Sequence, residues 1–131
     1  ICPSDTFHIA RYAVLLCYLG EPDRGLGEID RAMRIDPFCS DLIFETQGLC
    51  FYLLKQYDSA IASFKKMQIE TRTSLFYQAS CYQELRNSDK AKSHLNFAMA
   101  ESGMSIEKFV LSQLFQDENT QADLSSSLNS I

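Results

Sequence analysis

The sequence predicts an all-α fold made of antiparallel helix pairs. Three observations carry this. Apolar residues recur three and four positions apart almost throughout the chain. Glycine and proline are scarce, 5 and 3 in 131 residues, and the polar breaks between stripes are short. One pattern of small and large residues also returns three times along the chain.

The elements follow in order. Phe7, Ala10, Ala13, Val14 and Cys17 mark a first apolar stripe, and Leu26, Ile29, Ala32 and Met33 a second. Phe44, Gly48, Phe51 and Leu54 form a third, and Ala60, Ile61, Phe64 and Met67 a fourth. Leu75, Ala79, Tyr82 and Leu85 form a fifth, and Ala91, Leu95, Ala98 and Met99 a sixth. The breaks read GEPD, DPFCSD, KQYD, ETRTS and RNSD, short enough to make sequential helices antiparallel neighbours. Beyond them Gly103 suits a helix C-terminus and Ser105 an N-cap. SIEKFVLSQLF then reads as a seventh helix, with Ile106, Phe109, Val110, Leu114 and Leu111 expected to face the last pair. The polar tail 116–131 is expected to add a short helix over 122–128 or to fray.

The helices pair into repeats. With Ala13, Gly48 and Ala79 in register, Gly25, Ala60 and Ala91 also align, and all are small. Ile29, Phe64 and Leu95 align next, all large, followed by Ala32, Met67 and Ala98. Small residues on two facing helices let the backbones approach, and the large residue one turn on fills the remaining groove. A helix pair cannot bury both faces alone, so pairs stack into a continuous core.

This pattern resembles the tetratricopeptide repeat. The resemblance is carried by GLCFYLLKQYDSAIASFKKM, through Gly48, Phe51, Tyr57, Ala60 and Phe64. It is also carried by AVLLCYLGEPDRGLGEIDRAMRIDP, through Ala13, Gly20, Ala32 and Pro37. The loosest copy is ASCYQELRNSDKAKSHLNFA, through Ala79, Tyr82, Ala91 and Ala98. The resemblance implies a right-handed superhelix with repeats near 5–37, 41–70 and 73–102 and a cap over 105–115. Residues 1–115 then form one domain and 116–131 its tail. The second repeat interval is shorter than the first, which predicts a tighter turn at ETRTS.

Composition narrows the function. Net charge is -5, which disfavours nucleic acid or an anionic membrane as partner. No apolar run approaches the roughly 18 residues of a membrane span, and no signal-peptide pattern is present. The chain begins at Ile1, so it is expected to be a piece of a longer protein. Cys2, Cys17, Cys39, Cys50 and Cys81 form no CxxC, which suits reduced, buried thiols in a cytoplasmic protein. There is no phosphate loop, HExxH or GxSxG. His8 and His94 stand apart, Asp58 and Asp89 suit helix N-termini, and Glu28, Asp30 and Glu45 suit solvated helix faces. No catalytic residue, cofactor or metal is therefore expected.

What remains is a surface. In the family, peptides lie against the first helix of each repeat. By register that face carries Phe7, Val14 and Tyr18, then Leu42, Glu45, Leu49 and Tyr52, then Phe76, Gln83 and Glu84. Ala10, Cys17, Leu53 and Ser80 accompany them. The face is apolar with an acidic edge. It lacks the Lys and Asn with which some family members grip chaperone carboxylates, which argues against that role. Its apolar start at Phe7, Val14 and Tyr18 reads equally as a peptide groove or as a surface covered by upstream repeats.

RAMRIDPF reads as a helix end. Arg31 and Arg34 meet the negative end of the helix dipole, Pro37 fixes the turn, and Phe38 is expected to tuck beneath it. Taken with YLLKQYDSAIASFKKM and SCYQELRNSDKAKSHL, this order resembles the C-terminal repeat region of some bacterial class III adenylate or guanylate cyclases, over roughly 9–117. That implies an interaction or regulatory module engaging a protein, a peptide or other domains of its own chain. The alternatives are a structural spacer, a homodimerisation module, or an accessory domain of a winged-helix transcriptional regulator.

Overall fold

The computed structural model describes residues 4–38 and 40–131. Cys2 and Cys39, expected as buried thiols, lie outside them. Eight helices follow one another among the described residues: α1 (Ser4–Tyr18), α2 (Pro22–Ile35), α3 (Asp41–Leu53), α4 (Tyr57–Lys65), α5 (Arg72–Glu84), α6 (Ser88–Ser102), α7 (Ile106–Ser112) and α8 (Glu118–Asn129). The first six pair as α1–α2, α3–α4 and α5–α6. The first helices also pack in series, α1 on α3 and α3 on α5. The fold is an all-α, tetratricopeptide-like solenoid.

The pairs close by one repeated device. Gly20, Lys55 and Arg86 adopt left-handed backbone, with φ of 83°, 61° and 61°. They stand at the same intervals as Ala13, Gly48 and Ala79. In each turn the next amide reaches back to a carbonyl of the finished helix: Glu21 to Leu16 at 2.8 Å, Gln56 to Phe51 at 2.9 Å and Asn87 to Tyr82 at 2.9 Å. This is a Schellman closure, which satisfies orphan carbonyls and reverses the chain.

The small–large register is visible as contact. A Cβ at Gly48 would lie 2.6 Å from the buried Phe64 ring, so glycine is what lets that ring cross α3. Gly25 does the same where α2 crosses α1, with the Ala13 carbonyl and the Cys50 sulfur near where a Cβ would stand. Ile29, Ala32, Phe64, Ala91, Leu95 and Ala98 are all buried. Two core clusters result. A small one joins α1, α2 and the start of α3, and a large one runs from Cys17 through α3, α5 and the C-terminal helices.

The shorter second interval has a different origin from the one expected. α4 has 9 residues against 14 in α2, so the deficit lies in the helix rather than in a tighter turn. The chain leaving α4 is caught by α3. The Asp41 carboxylate accepts the amides of Gln68 at 2.8 Å and Ile69 at 3.0 Å, and Glu45, one turn on, accepts the Thr71 hydroxyl. Thr71 then caps α5 in a capping box with Ser74.

Several apolar side chains lie elsewhere than expected. Phe38 is 93% exposed, because the Asp36 carboxylate holds its amide at 3.1 Å and leaves the ring in solvent. Leu85 and Met99, from the fifth and sixth stripes, are also exposed. In α7 Phe109 and Val110 are buried, whereas Leu111, and Leu114 just past the helix, face solvent. After Ser112 the helix stops and the chain extends at Gln113, which turns Gln113 and Phe115 inward instead. The tail continues as α8, longer than 122–128, capped by Asp117 and burying Leu124, Ser127 and Leu128.

Candidate functional site

The face lined by α1, α3 and α5 is not open. The segment from α7 to the C-terminus crosses it. Phe109 stacks on Phe76 of α5 at 4.2 Å between ring centres, and the Tyr77 hydroxyl donates to the Gln113 side-chain oxygen at 2.8 Å. Phe115 meets Tyr18 of α1 edge-on at 5.2 Å, and the Gln116 amide donates to the Tyr18 carbonyl at 2.8 Å. α8 then lies along α5. The Ser127 and Ser80 hydroxyls stand 2.7 Å apart, Ser80 stands 2.8 Å from the Tyr52 hydroxyl, and the Gln83 amide reaches the Ser130 carbonyl at 3.3 Å.

The ten expected surface residues divide accordingly. Tyr52 and Phe76 are buried, and Tyr18 and Gln83 are half-buried under the C-terminal segment. Leu49 is buried in the core itself. Their expected exposure is corrected: a helix face is apolar for whatever covers it, and this chain covers it. Leu42 and Glu45 lie on the same face of α3 nearer its N-terminus, Leu42 packed on the small cluster and Glu45 holding Thr71. Val14 is half-buried, Phe7 is 46% exposed beside His8, and Glu84 is exposed at a cleft rim.

That cleft, about 740 Å³, opens between α8 and the ends of α3 and α5. Lys55 and Arg86 line it from the two Schellman turns, and Glu84, Asp117 and Asp123 line it with opposite charge. Sequence reasoning missed Gln113, Phe115, Leu124, Ser127 and Leu128. The available signal was Leu124, Leu128 and Ile131, four and then three residues apart, one helix face in an otherwise polar tail.

Electrostatics follow burial. Tyr52 and Tyr77 have hydroxyls pushed well above the usual phenol range by burial, so both stay neutral at any physiological pH. Burial raises the Glu45 carboxyl, the Thr71 hydrogen bond partly offsets this, and the Asp41 charge adds to the rise. Cys17 and Cys50 stand 3.4 Å apart in the core, and the Cys50 thiol is pushed up by that hydrogen bond and by burial. Cys81 is raised by burial. These are packed thiols rather than poised nucleophiles.

The dispersed titratable residues stay dispersed. His94 tilts against Tyr82 at 4.9 Å with its Nδ1 near the Lys90 carbonyl. Glu28 pairs with Arg31 at 2.6 Å on the surface. Among the described residues no three His, Cys, Asp or Glu side chains converge as a metal site, and no helix is long and apolar enough to cross a membrane.

Comparison with known proteins agrees with the architecture. Residues 73–96, which span α5 and the first half of α6, match the family profile described as Tetratricopeptide repeat. That is the third copy, the loosest to the eye. No curated protein and no solved structure matches the chain. The match and the helix-pair geometry together support a tetratricopeptide-repeat domain. Such repeats are generally non-catalytic and typically bind proteins.

Proposed function

We propose that this chain is a non-catalytic protein–protein interaction module whose working surface is the face lined by α1, α3 and α5. The observation that carries the reading is the combination of repeat register and apolar first helices in a fold whose residues 73–96 match a protein-binding repeat. Its partner is a protein, a peptide or another domain of its own chain. The finer reading is a cytoplasmic, C-terminal regulatory module of a bacterial adenylate or guanylate cyclase. The order of RAMRIDPFCSD, YLLKQYDSAIASFKKM and SCYQELRNSDKAKSHL supports it. Nucleotide cyclisation and assembly by the full gene product, compared with a product lacking residues 4–131, test both levels. Loss of regulation or of a defined partner is expected. An unchanged rate, unchanged assembly and no partner overturn the reading.

One feature favours a second reading. Tyr12, Leu15 and Leu19 are exposed at helical spacing on α1 and the turn after it, with Phe7 toward the N-terminus. Such a stripe suits a homodimer or an abutting repeat. Light scattering decides on the dimer, and a strict monomer at high concentration excludes it.

A further inference from the structure

The face expected to receive a ligand already holds a helix, and the helix is the chain's own. Leu124, Ser127 and Leu128 of α8 are buried, and Ile131 packs on the same cluster. Their spacing is i, i+3, i+4 and i+7, the way an amphipathic helix lays its apolar side into a groove. Between the leucines the hydroxyls of Ser127, Ser80 and Tyr52 form one buried chain across α8, α5 and α3.

Three observations set α8 apart from the rest of the core. It is a weak helix by sequence: three consecutive serines, Ser125–Ser127, follow Asn119 and Thr120 in a helix of 12 residues. A helix that short is marginal without docking, and serine, threonine and asparagine favour its ends over its interior. Its seat is also mixed, since the hydroxyl chain and the Gln83 contact to Ser130 share the border with an open cleft. Finally, its tether is anchored separately. α8 packs on α7 as well as on α5, and its Gln121 amide donates to the Gln113 carbonyl. But Gln113 is also held by Tyr77, and Phe115 and Gln116 by Tyr18, so the tether keeps its own anchors when α8 leaves.

We propose that α8 is an exchangeable stand-in, and that the surface beneath it binds a partner helix of the pattern Leu-x-x-Ser-Leu-x-x-apolar. The hydroxyl position follows from the seat. With α8 gone Ser80 and Tyr52 still hold each other, and only the Ser80–Ser127 bond is lost, so a hydroxyl opposite Ser80 restores a bond that an apolar cover would not. The proposal rests on the interaction reading above and names the class of partner it takes.

The test uses the full chain. Hydrogen exchange reads α8 release directly: amides of α8 exchange at least about tenfold faster than those of α5, because α8 opens below the global limit. The variant Leu124→Asp/Leu128→Asp frees the face, and a synthetic peptide of residues 113–131 is then titrated against it. A docked competitor lowers apparent affinity by the fraction of open chain, so the variant binds the peptide at least about tenfold tighter than the native chain does. The same peptide carrying both aspartates does not bind. A Gln83→Cys/Ser130→Cys cross-link abolishes peptide binding until it is reduced.

Exchange of α8 in step with α5 overturns the proposal. So does a released variant that keeps the circular dichroism of α1–α6 and ignores the peptide, or one that unfolds outright, since α8 is then integral to the core. If cross-linked and released chains take the same partner equally, the interaction reading stands and this proposal falls. If the peptide binds but removing residues 4–131 changes neither assembly nor rate in the parent, the reverse holds.

Discussion

Gly48→Ala adds one methyl group at the point where the fold is tightest. Its Cβ would stand 2.6, 2.7 and 2.8 Å from three carbons of the Phe64 ring. Carbon atoms rest about 3.5–4.0 Å apart, so the ring must retreat by about 1 Å. It has no room to do so: Phe64 is fully buried and lies nearly parallel to Tyr77, at 12° and 6.4 Å. Overpacking of this kind costs about 1–3 kcal/mol, and the severity of the contact argues for the upper part of that range. Against it stands the gain of about 0.8–1.0 kcal/mol for alanine over glycine inside a helix. The net expectation is a loss of about 1–2 kcal/mol. Gly27→Ala is the control, because nothing lies within 4 Å of its Cβ and only the helix gain remains. The same chemical change is therefore expected to move stability in opposite directions at two sites. Urea unfolding of both variants measures this, with a fall in melting temperature of about 4 °C per kcal/mol for a chain of this size. Phe64→Leu in the Gly48→Ala background should recover part of the loss, since the two positions share one contact. A Gly48→Ala chain as stable as the Gly27→Ala chain would refute the register on which the fold is argued.

Asp41→Ala removes two charge-assisted bonds to the Gln68 and Ile69 amides and is expected to cost about 2–3 kcal/mol, with faster hydrogen exchange at both amides. Lys55→Gly and Arg86→Gly relieve left-handed backbone at residues that carry a Cβ, and each should raise unfolding stability by up to about 1 kcal/mol after glycine's entropic cost. Glu45 has a raised carboxyl in the folded chain, so folding holds its proton more tightly than the unfolded chain does. Its contribution is full below the unfolded carboxylate range and is lost as pH rises through the folded value. Glu45→Gln should flatten that fall in a pH series of melts, and an unchanged slope would remove Glu45 as its source.

The pairing of helices is legible in the sequence because it rests on side-chain size. Gly48 and Phe64, or Gly25 and Ile29, are informative residues: little else fits where backbones approach closely, and the spacing of each is set by the helix. The turns are legible only in part. Gly20 announces its left-handed conformation, whereas Lys55 and Arg86 occupy the equivalent position with residues that carry no such signal. The clamp of Asp41 on the loop after α4 is likewise silent, since a carboxylate at a helix start reads first as a dipole partner.

The ten surface residues show the sharper division. Local periodicity establishes only that Tyr52, Phe76 and Leu49 share an apolar face of the first helices, which was expected to be open, because shared facing belongs to each helix alone. What those faces meet is a contact between residues far apart in sequence, and no local rule encodes it. The C-terminal segment crosses from Phe76 to Tyr18 and places Ser127 on Ser80. Its own sequence is a weak helix with two leucines, and it becomes α8 because the solenoid offers those leucines a seat. The chain's helices and their register thus follow from residue size and spacing, while what covers the face of α1, α3 and α5 is decided by tertiary packing, where burial outweighs helix propensity.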